Sequence, residues 1–321
     1  MIDAPVSDMD VPEPRFFGRL EVAARAVALL VVAALLFGGL LALVRPWYLN
    51  WGASAEERSG TLPGDRFSAG PPYETRAIDI QAPAEQVFAW VSQLGQNRGG
   101  FYSYTLLENL VGCEMPNVQH LDPALQQWKV GDKLWMYPSD ELGGMGYASL
   151  LYYEPGRALV FGTHTPLDPP GDAATGSWSF VVTPTSSGSA RLSTRGSGGS
   201  TQTWLGHAFT RTVFEPLHFA MERRMLEGIQ GLAEGHPYSP GRDLLQLLAW
   251  SATFVSLIAA ATLVLVGSRP RRRLLGFAAA GVAFQIVTLV QPPPAVGLTL
   301  VAVLVWIIWL PSRPASRAGE L

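Results

Sequence analysis

The densest group of polar and aromatic side chains in the chain runs from Arg98 to Tyr104, with Glu108 a helical turn further on. In a ligand site, Arg98 would hold an anionic headgroup, and Tyr102 or Tyr104 would donate a hydrogen bond inside an apolar cavity. Two glycines within the group let the backbone approach a ligand or turn sharply. The alternative is a plain interhelical turn in which Arg98 and Glu108 form a structural ion pair.

A second candidate pairing lies further along the chain, where Glu215 and His218 have the E-x-x-H spacing. That spacing occurs in carboxylate-bridged metal sites, which need further inward-facing ligands from neighbouring helices. The chain has five histidines and no second such pair. We therefore expect no metal here, and we expect Glu215, His218 and Glu222 to form the solvated edge of a helix.

The remaining reactive side chains do not form a recognisable site. His120, His164 and Asp122 fall in expected loops, where catalytic residues often lie, but no spacing pairs them as acid and base. Cys113 is the single cysteine, which excludes an intrachain disulfide and a multi-cysteine metal site. As a nucleophile it would need a base and an electropositive setting, so packing is its expected role. The sequence has no phosphate-binding glycine loop and no nucleophile elbow.

The composition places part of the chain outside water. Of its 321 residues, 48% are hydrophobic and only 15% are charged, against about 25% charged in soluble globular proteins. The net charge of −3 argues against nucleic-acid binding, which requires a basic surface. Membrane-spanning segments are therefore expected.

Uncharged apolar runs predict four transmembrane helices. One precedes the middle region and three follow it, at residues 26–44, 244–268, 274–291 and 295–311. The first run is about 28 Å long as a helix, close to the thickness of about 30 Å of the hydrocarbon core. The alternative is a cleaved signal peptide, because residues 53–55 read Ala-Ser-Ala. Signal-peptide apolar regions have only about 7–15 residues, so an uncleaved anchor is favoured.

The distribution of arginines predicts the orientation of these spans. Four spans place nine arginines on one side, in the tails 1–25 and 312–321 and in the loop after the second span. They are Arg15, Arg19, Arg25, Arg269, Arg271, Arg272, Arg273, Arg313 and Arg317. We expect a multi-pass membrane protein, with both termini cytoplasmic and residues 45–243 extracytoplasmic. The spans carry no ionisable residue, which is typical of an anchor rather than a pore.

The middle region predicts an α+β domain. A lead-in at 45–74 contains many Gly, Pro and Ser residues, and hydrophobic periodicity then predicts strands and helices over 75–236. Expected strands cover 77–80, 132–137, 147–154, 158–163, 177–183 and 190–195, and expected helices cover 82–94, 101–111 and 212–234. A sheet must bury one face, and the long amphipathic last helix would cover it.

A curved sheet that grips this helix would leave a cavity between the two. The expected lining is large and apolar, and comprises Trp135, Tyr137, Tyr152, Phe161, Trp178 and Phe180 from strands and Met221 and Met225 from the helix. Together with Arg98, Tyr102 and Tyr104, these are the candidate ligand-binding residues. The lining contains no carboxylate and no histidine, which favours binding over acid–base catalysis.

Several segments of this region resemble the helix-grip fold of the START/SRPBCC superfamily, which includes polyketide cyclases and the birch-pollen-allergen type. The resemblance covers about residues 50–236 and is closest to an uncharacterised bacterial branch. The segments are 51–54 (Trp-Gly-Ala-Ser), 76–94 with Ala-Pro-Ala-Glu-Gln-Val-Phe, 95–104, 107–110, and 221–229. The resemblance implies a curved antiparallel sheet wrapped on a long C-terminal helix, with two short helices after the first strand. It also implies hydrophobic-ligand binding, but no single reaction, because members include carriers, cyclases and proteins without known activity.

The sequence thus predicts a membrane-anchored protein that binds a hydrophobic or amphipathic, lipid-like small molecule, without a cofactor and without nucleic acid. A cyclase- or dehydrase-like enzyme acting on a polyketide-type substrate is the first alternative. The second is a structural or interaction module whose cavity is filled by its own side chains. A cavity well below about 300 Å³ would favour that module. The oligomeric state and the ligand stay open.

Overall fold

The computed structural model describes residues 18–68, 70–144, 146–163, 176–185, 188–198 and 203–309, and every structural statement below concerns these residues. The expectations for His164, Arg15, Arg313 and Arg317 lie outside them. The first helix, α1, is Arg19–Leu49. The helices α2, α3 and α4 are Ala55–Ser59, Ala84–Ser92 and Thr105–Leu110.

Four further helices follow the sheet. Helix α5 consists of three continuous segments, Trp204–Phe209, Thr210–Phe214 and Glu215–Ala233, of which the middle one is π-helical. Helices α6, α7 and α8 are Pro240–Val266, Pro270–Val290 and Pro294–Trp309. Gln291 adopts a left-handed conformation at the end of α7, with φ of 48°. The prolines at 292–294 then separate α7 from α8, because proline cannot continue a helix interior.

Three helices are long and apolar enough to cross a membrane. These are α1, α6 and α7, with 31, 27 and 21 residues. Helix α8 is apolar but has 16 residues, or about 24 Å, and a span takes about 20 residues. Three of the four expected spans are therefore matched by helices of sufficient length, and the fourth stays a prediction.

Six antiparallel strands form one sheet. They are β1 Pro72–Ile80, β2 Lys133–Trp135, β3 Tyr147–Glu154, β4 Ala158–Thr163, β5 Gly176–Pro184 and β6 Ala190–Gly198. The strand order is β1-β6-β5-β4-β3-β2, so the first strand pairs with the last. The expected α+β class with an antiparallel sheet is confirmed. Two short helices, α3 and α4, lie between β1 and β2 in the chain.

Helices α3 and α5 cover one face of the sheet and form the main core with it. Because successive strand residues point to opposite faces, the inward residues form rows across neighbouring strands. Buried core members include Ile80, Leu134, Leu150, Phe161, Phe180 and Leu192 from strands, Val87 and Val91 from α3, and Met225, Leu226 and Ile229 from α5. Burial of these apolar side chains is the dominant favourable contribution to the fold.

The lead-in before β1 is an ordered cover on the opposite face of the sheet. Helix α2 begins with a capping box between Ser54 and Glu57, which satisfies otherwise unpaired amides at the helix start. Arg195, on β6, is 1% exposed and reaches this cover. Its guanidinium donates to the carbonyl of Gly60 and to Asp65 Oδ2, each at 2.8 Å. The expected linker therefore packs on the sheet.

Candidate functional site

Helix α5 connects the sheet to the ends of three apolar helices. Glu215 pairs with Arg45 near the end of α1. One turn later, Gln291 Nε2, just after α7, donates to the carbonyl of Ala220 at 2.6 Å. A further turn along, Arg224 Nη2 donates to Asp243 Oδ1 near the start of α6, also at 2.6 Å. Successive turns of α5 thus contact the ends of different apolar helices. Helix α5 therefore lies across one end of the bundle that α1, α6, α7 and α8 form.

A cavity of about 430 Å³ lies on the bundle side of α5. Helix α4 and residues just after it form one wall, α5 forms another, and the ends of α6, α7 and α8 close the rest. The lining is almost wholly apolar and includes Leu107, Val111, Leu217, Met221, Leu247, Trp250, Val287, Pro292 and Pro294. A volume of this size falls within the range of about 300–1,000 Å³ that is typical of small-molecule sites.

A few polar side chains lie in the wall of this cavity. Tyr104 Oη donates to Gln246 Oε1 at 3.3 Å, and Gln246 Nε2 donates to the carbonyl of Pro292 at 3.3 Å. The Tyr104 hydroxyl and the Gln246 amide thus bond within the wall, and the interior of the cavity stays apolar. Glu108 Oε2 and Gln291 Oε1 are buried and accept no hydrogen bond within the described part of the chain. Burial, with a smaller contribution from Asp243, raises the pKa of Glu108 to about 7.

Two of the predicted ligand residues, Tyr104 and Met221, border this cavity. Arg98 does not, because its guanidinium holds the loop after Asp122. It donates to the carbonyls of Leu125 at 2.6 Å and Gln127 at 2.9 Å, and it stacks 3.6 Å from the Trp128 ring centroid. The expected ion pair with Glu108 therefore does not form, and the role of Arg98 is structural.

Tyr102 also has a structural environment rather than a place at the cavity. Its backbone has φ of 55°, a left-handed conformation that is uncommon outside glycine. Its hydroxyl accepts a hydrogen bond from Gln93 Nε2 at 3.3 Å. A Cβ on Gly99 would lie 2.2 Å from that hydroxyl oxygen, so the glycine permits close packing of the turn.

The predicted strand lining separates into two groups. Phe161, Phe180 and Trp178 face α5 and pack on one another, with Trp178 and Phe180 ring centroids 4.6 Å apart, and Met225 of α5 belongs to the same core. They form the core between sheet and helix and do not border the 430 Å³ cavity. The space in which a ligand was expected is filled by these side chains.

Trp135, Tyr137 and Tyr152 lie outside that core, which corrects the expectation that they face α5. In β2 the pleat directs Leu134 inward, so Trp135 lies on the other face, where it contacts Tyr147 at 5.1 Å between centroids. Tyr152 lies beside Arg66. Tyr137 follows β2, and its hydroxyl donates to the carbonyl of Val111 at 3.0 Å.

A buried group of charges lies on the sheet side of α5. Arg76 donates to Glu74 Oε2 at 2.6 Å and to Glu222 Oε2, and all three side chains are at most 2% exposed. Trp178 Nε1 donates to Glu222 Oε1 at 2.8 Å. His218 Nδ1 lies 3.5 Å from Glu74 Oε1, and its side chain is 25% exposed. An acid and a base therefore meet here, in contrast to the sequence expectation.

The solvated helix edge expected for Glu215, His218 and Glu222 is wrong. Glu215 and Glu222 are 6% and 3% exposed, because arginines from distant parts of the chain neutralise them. Burial lowers the pKa of His218, but the adjacent Glu74 carboxylate more than offsets this, and the net shift is upward. Burial raises the pKa of Glu74, but Arg76 and His218 together outweigh it by attraction and hydrogen bonding, and the net shift is downward.

The buried charge group on the sheet side of α5 has its carboxylate and imidazole atoms close enough together for a metal ion, but these atoms are already paired. Ligand atoms of Glu74, His218 and Glu222 lie within 4.8 Å of one another. However, Arg76 already neutralises both carboxylates, and Trp178 occupies the second oxygen of Glu222. A cation would have to displace the guanidinium, so the donor set does not fit a resident metal.

The other reactive side chains have local roles. Asp122 caps a short 3-10 turn by accepting from the amide of Ala124 at 2.9 Å, and the carbonyl of His120 accepts from Gln93. Cys113 borders the cavity, and burial raises the pKa of its thiol. Sequence reasoning did not place Gln246, Gln291 or Cys113 at a common site, because their proximity depends on contacts between distant elements.

Comparison with known proteins gives little further guidance. No family model matches the chain, and no curated protein matches it. One solved structure similar to part of it is the X-ray crystal structure of protein MLL2253 from Mesorhizobium loti, at 17% sequence identity. The match covers 50% of this chain and 98% of that chain, with a TM-score of 0.27. This likeness supports no argument about fold or function.

Proposed function

We propose that the protein is a membrane-anchored binding protein for a hydrophobic or amphipathic small molecule with a single chain or a small ring system. The observation that carries the proposal is the apolar cavity of about 430 Å³ between the α+β domain and the ends of the apolar helices. Its volume lies in the lower part of the range for small-molecule sites, of about 300–1,000 Å³. A ligand with one chain therefore suits it better than a two-chain lipid.

The proposal includes a membrane arrangement with four spans, of which α8 is the last. Both termini are cytoplasmic, and the domain at 75–236 is extracytoplasmic in a bacterial cell membrane. The cavity then lies at the level of the outer leaflet, where its walls of α6 and α7 adjoin lipid. A lipid-like ligand would enter it without crossing water, which supports this class of ligand.

The proposal also assigns the domain a helix-grip fold of the SRPBCC type. It is supported by an antiparallel sheet with α5 packed on one face and two short helices after β1. In this protein the space between sheet and α5 is filled by aromatic side chains, with Phe161 and Phe180 both fully buried. The proposed ligand therefore lies on the opposite side of α5.

The test is to purify the full chain from bacterial membranes, extract it with organic solvent, and identify bound molecules by mass spectrometry. Val111 borders the cavity and is 62% exposed, so Val111→Trp would occupy its mouth with little risk to the fold. Val130, 67% exposed and away from the cavity, gives the matched control Val130→Trp. We expect a stoichiometric small molecule in wild type and Val130→Trp, and its loss in Val111→Trp. An empty wild-type protein would favour the structural-module alternative.

The enzyme alternative is kept because a specific observation favours it. His218 and Glu74 form an acid–base pair beside Trp178, and His218 is partly exposed. Such pairs with shifted pKa values occur often at catalytic sites, and also in structural networks. To test the enzyme alternative, the full chain and its His218→Gln variant are each incubated with a poly-β-ketone thioester, and product formation is measured. We expect the variant to be inactive. Equal product formation by both proteins would reject this pair as the catalyst.

A further inference from the structure

The first part of α5, residues 204–214, extends beyond the body of the domain. Trp204, Leu205 and Phe209 are 76%, 62% and 58% exposed. Among the described residues, the main packing partner of this segment is the rest of its own helix. Large apolar side chains on a helix with so few partners indicate a surface that another phase or molecule covers.

Four apolar residues of α5 lie on one side, whereas Phe214 lies apart from them and stacks on His218, with ring centroids 5.5 Å apart. Leu205, Phe209, Val213 and Leu217 recur every four residues, and all four are exposed. Positions four apart lie on one helix face, and the wider π-helical turn between Thr210 and Phe214 keeps the stripe from drifting around the helix. Leu217 borders the cavity at the bundle end, so the stripe continues from the side of α5 that faces the apolar helices.

The polar residues lie on the other side of the same segment. His207 and Arg211 are exposed and are offset by two positions from Leu205 and Phe209. On a helix, a two-residue offset points roughly to the opposite face. A segment with an apolar stripe, an aromatic residue and a basic polar face has the pattern of helices that lie in the plane of a membrane interface.

The direction of α5 places this segment beside the bundle. From Arg224 back to Glu215, α5 passes from the start of α6 to the end of α1. Phe219, between them, packs on Trp47 at 5.4 Å and on Tyr48 at 5.7 Å between ring centroids. The eleven residues before Glu215 therefore continue past α1 for about 16 Å. They run across the bundle end and out over the region that surrounds it.

We infer that residues 204–217 form an interfacial helix whose Leu205–Phe209–Val213 stripe is immersed in the outer-leaflet lipid next to α1. This inference rests on the proposed membrane spans but not on a ligand in the cavity. The contacts of α5 with the ends of α1, α6 and α7 fix the height of the helix at the membrane boundary. Trp204 at its start suits the same boundary, where tryptophan is enriched.

Site-directed spin labelling tests the inference in the full chain. Cys113→Ser first removes the single cysteine. In that background, Phe209→Cys, Arg211→Cys and Ile258→Cys are made separately, and a nitroxide is attached to each new cysteine. Each protein is reconstituted into phosphatidylcholine–phosphatidylglycerol vesicles. Collision rates with O₂, which partitions into lipid, and with Ni(II)EDDA, which stays in water, are then measured. The labelled residues at 209, 211 and 258 are all exposed in the structure, so the fold should tolerate the labels.

The expected result is a loss of Ni(II)EDDA collisions at 209 with high O₂ collisions, and the reverse at 211. Leu205→Cys repeats the measurement on the stripe. Ni(II)EDDA access at both 209 and 211, with 258 in lipid, would overturn the inference because the stripe would lie in water. Shielding of 209 from both reagents would also overturn it, since protein would cover the stripe. Ni(II)EDDA access at 258 would show instead that the proposed spans themselves are wrong.

Discussion

Arg45 and Glu215 form a bidentate ion pair that joins α1 to α5. Arg45 Nε donates to Glu215 Oε2 at 2.7 Å, and Nη2 donates to Oε1 at 2.8 Å. The buried Tyr48 hydroxyl adds a third bond to Oε2 at 3.1 Å. One carboxylate thus links the end of an apolar helix to the domain.

Replacement of Glu215 by Gln should destabilise the full chain. The side chain keeps its shape but loses its charge, and its amide group would face the Arg45 guanidinium. Breaking a buried ion pair costs about 3–5 kcal/mol, and the partial exposure of Arg45, at 33%, reduces this. We expect a loss of about 2 kcal/mol in the free energy of unfolding, measured by thermal unfolding in micelles.

The matched control for that change is Arg157→Gln. Arg157 pairs with Glu154 at 3.0 Å, but the two side chains are 61% and 32% exposed. Exposed pairs contribute about 0–1 kcal/mol, so we expect almost no change in the unfolding temperature. Equal effects of the two substitutions would contradict the role assigned to Glu215.

Sequence periodicity predicts where the helices and strands lie, but it does not predict which face of a strand packs against the core. The apolar runs predicted α1, α6 and α7, although α1 begins seven residues before the predicted span, at Arg19. Arg25 therefore lies inside α1, and its guanidinium donates to the carbonyl of Gly267 at 2.7 Å. In β2, alternation defines two faces but does not say which one meets α5. The sequence prediction places the larger aromatic residue, Trp135, on the inner face, whereas the structure places Leu134 there.

The site could not be predicted because its contacts join distant positions. Tyr104 and Gln246 are 142 residues apart, and Arg76 and Glu222 are 146 apart. No local pattern in a single sequence encodes such pairs. Sequence reasoning therefore found Tyr104 and Met221 as candidates, but placed their cavity on the wrong side of α5.

Gly228 should be the least replaceable glycine of α5. An added Cβ would lie 2.1 Å from the Tyr102 carbonyl oxygen and 3.0 Å from its Cβ. Tyr102 is already held in a left-handed conformation, so it has little freedom to move away. Overpacking costs about 1–3 kcal/mol, and we expect Gly228→Ala to lower the unfolding temperature accordingly.

Gly231, three residues later on the same helix, provides the comparison. A Cβ there would have its nearest neighbour at 3.7 Å, an ordinary contact. Alanine is favoured over glycine within a helix by about 1 kcal/mol, so Gly231→Ala should leave stability unchanged or raise it. Destabilisation by Gly231→Ala as large as by Gly228→Ala would contradict the close approach at Tyr102.

Glu108 should make the protein less stable as pH rises. Burial, and to a lesser extent Asp243, raises the pKa of Glu108 from its ordinary value of 4.5 to about 7. The unfolded chain loses this proton first, so the folded state binds more protons between these pH values. The free energy of unfolding should fall by about 3 kcal/mol between pH 4.5 and 7 and level off above.

Glu108→Gln removes this contribution. The difference in unfolding free energy between the variant and wild type should increase over the same pH range, in favour of the variant. Taking the difference cancels the separate titration of His218. Glu85→Gln, at an exposed position of α3, should track wild type at every pH. A variant curve parallel to that of wild type would show that Glu108 is not held in its neutral form.

Cys113 offers a direct probe of cavity occupancy, because it is the single cysteine and borders the cavity. Burial raises the pKa of its thiol, and the thiolate is the reactive form. N-ethylmaleimide should therefore modify it slowly near neutral pH and faster at pH 9. Saturation with 1-hexadecanol, which would fill the lumen, should slow the reaction severalfold at either pH.

A label away from the cavity separates protection by the ligand from a general effect of the alcohol. Ser139 is exposed and does not border the cavity, so a Cys113→Ser, Ser139→Cys variant should react equally fast with and without 1-hexadecanol. Binding of the alcohol measured by equilibrium dialysis completes the design. Bound alcohol with unprotected Cys113 would place the ligand elsewhere, whereas protection of Cys113 alone would assign it to the space between α4, α5 and the apolar helices.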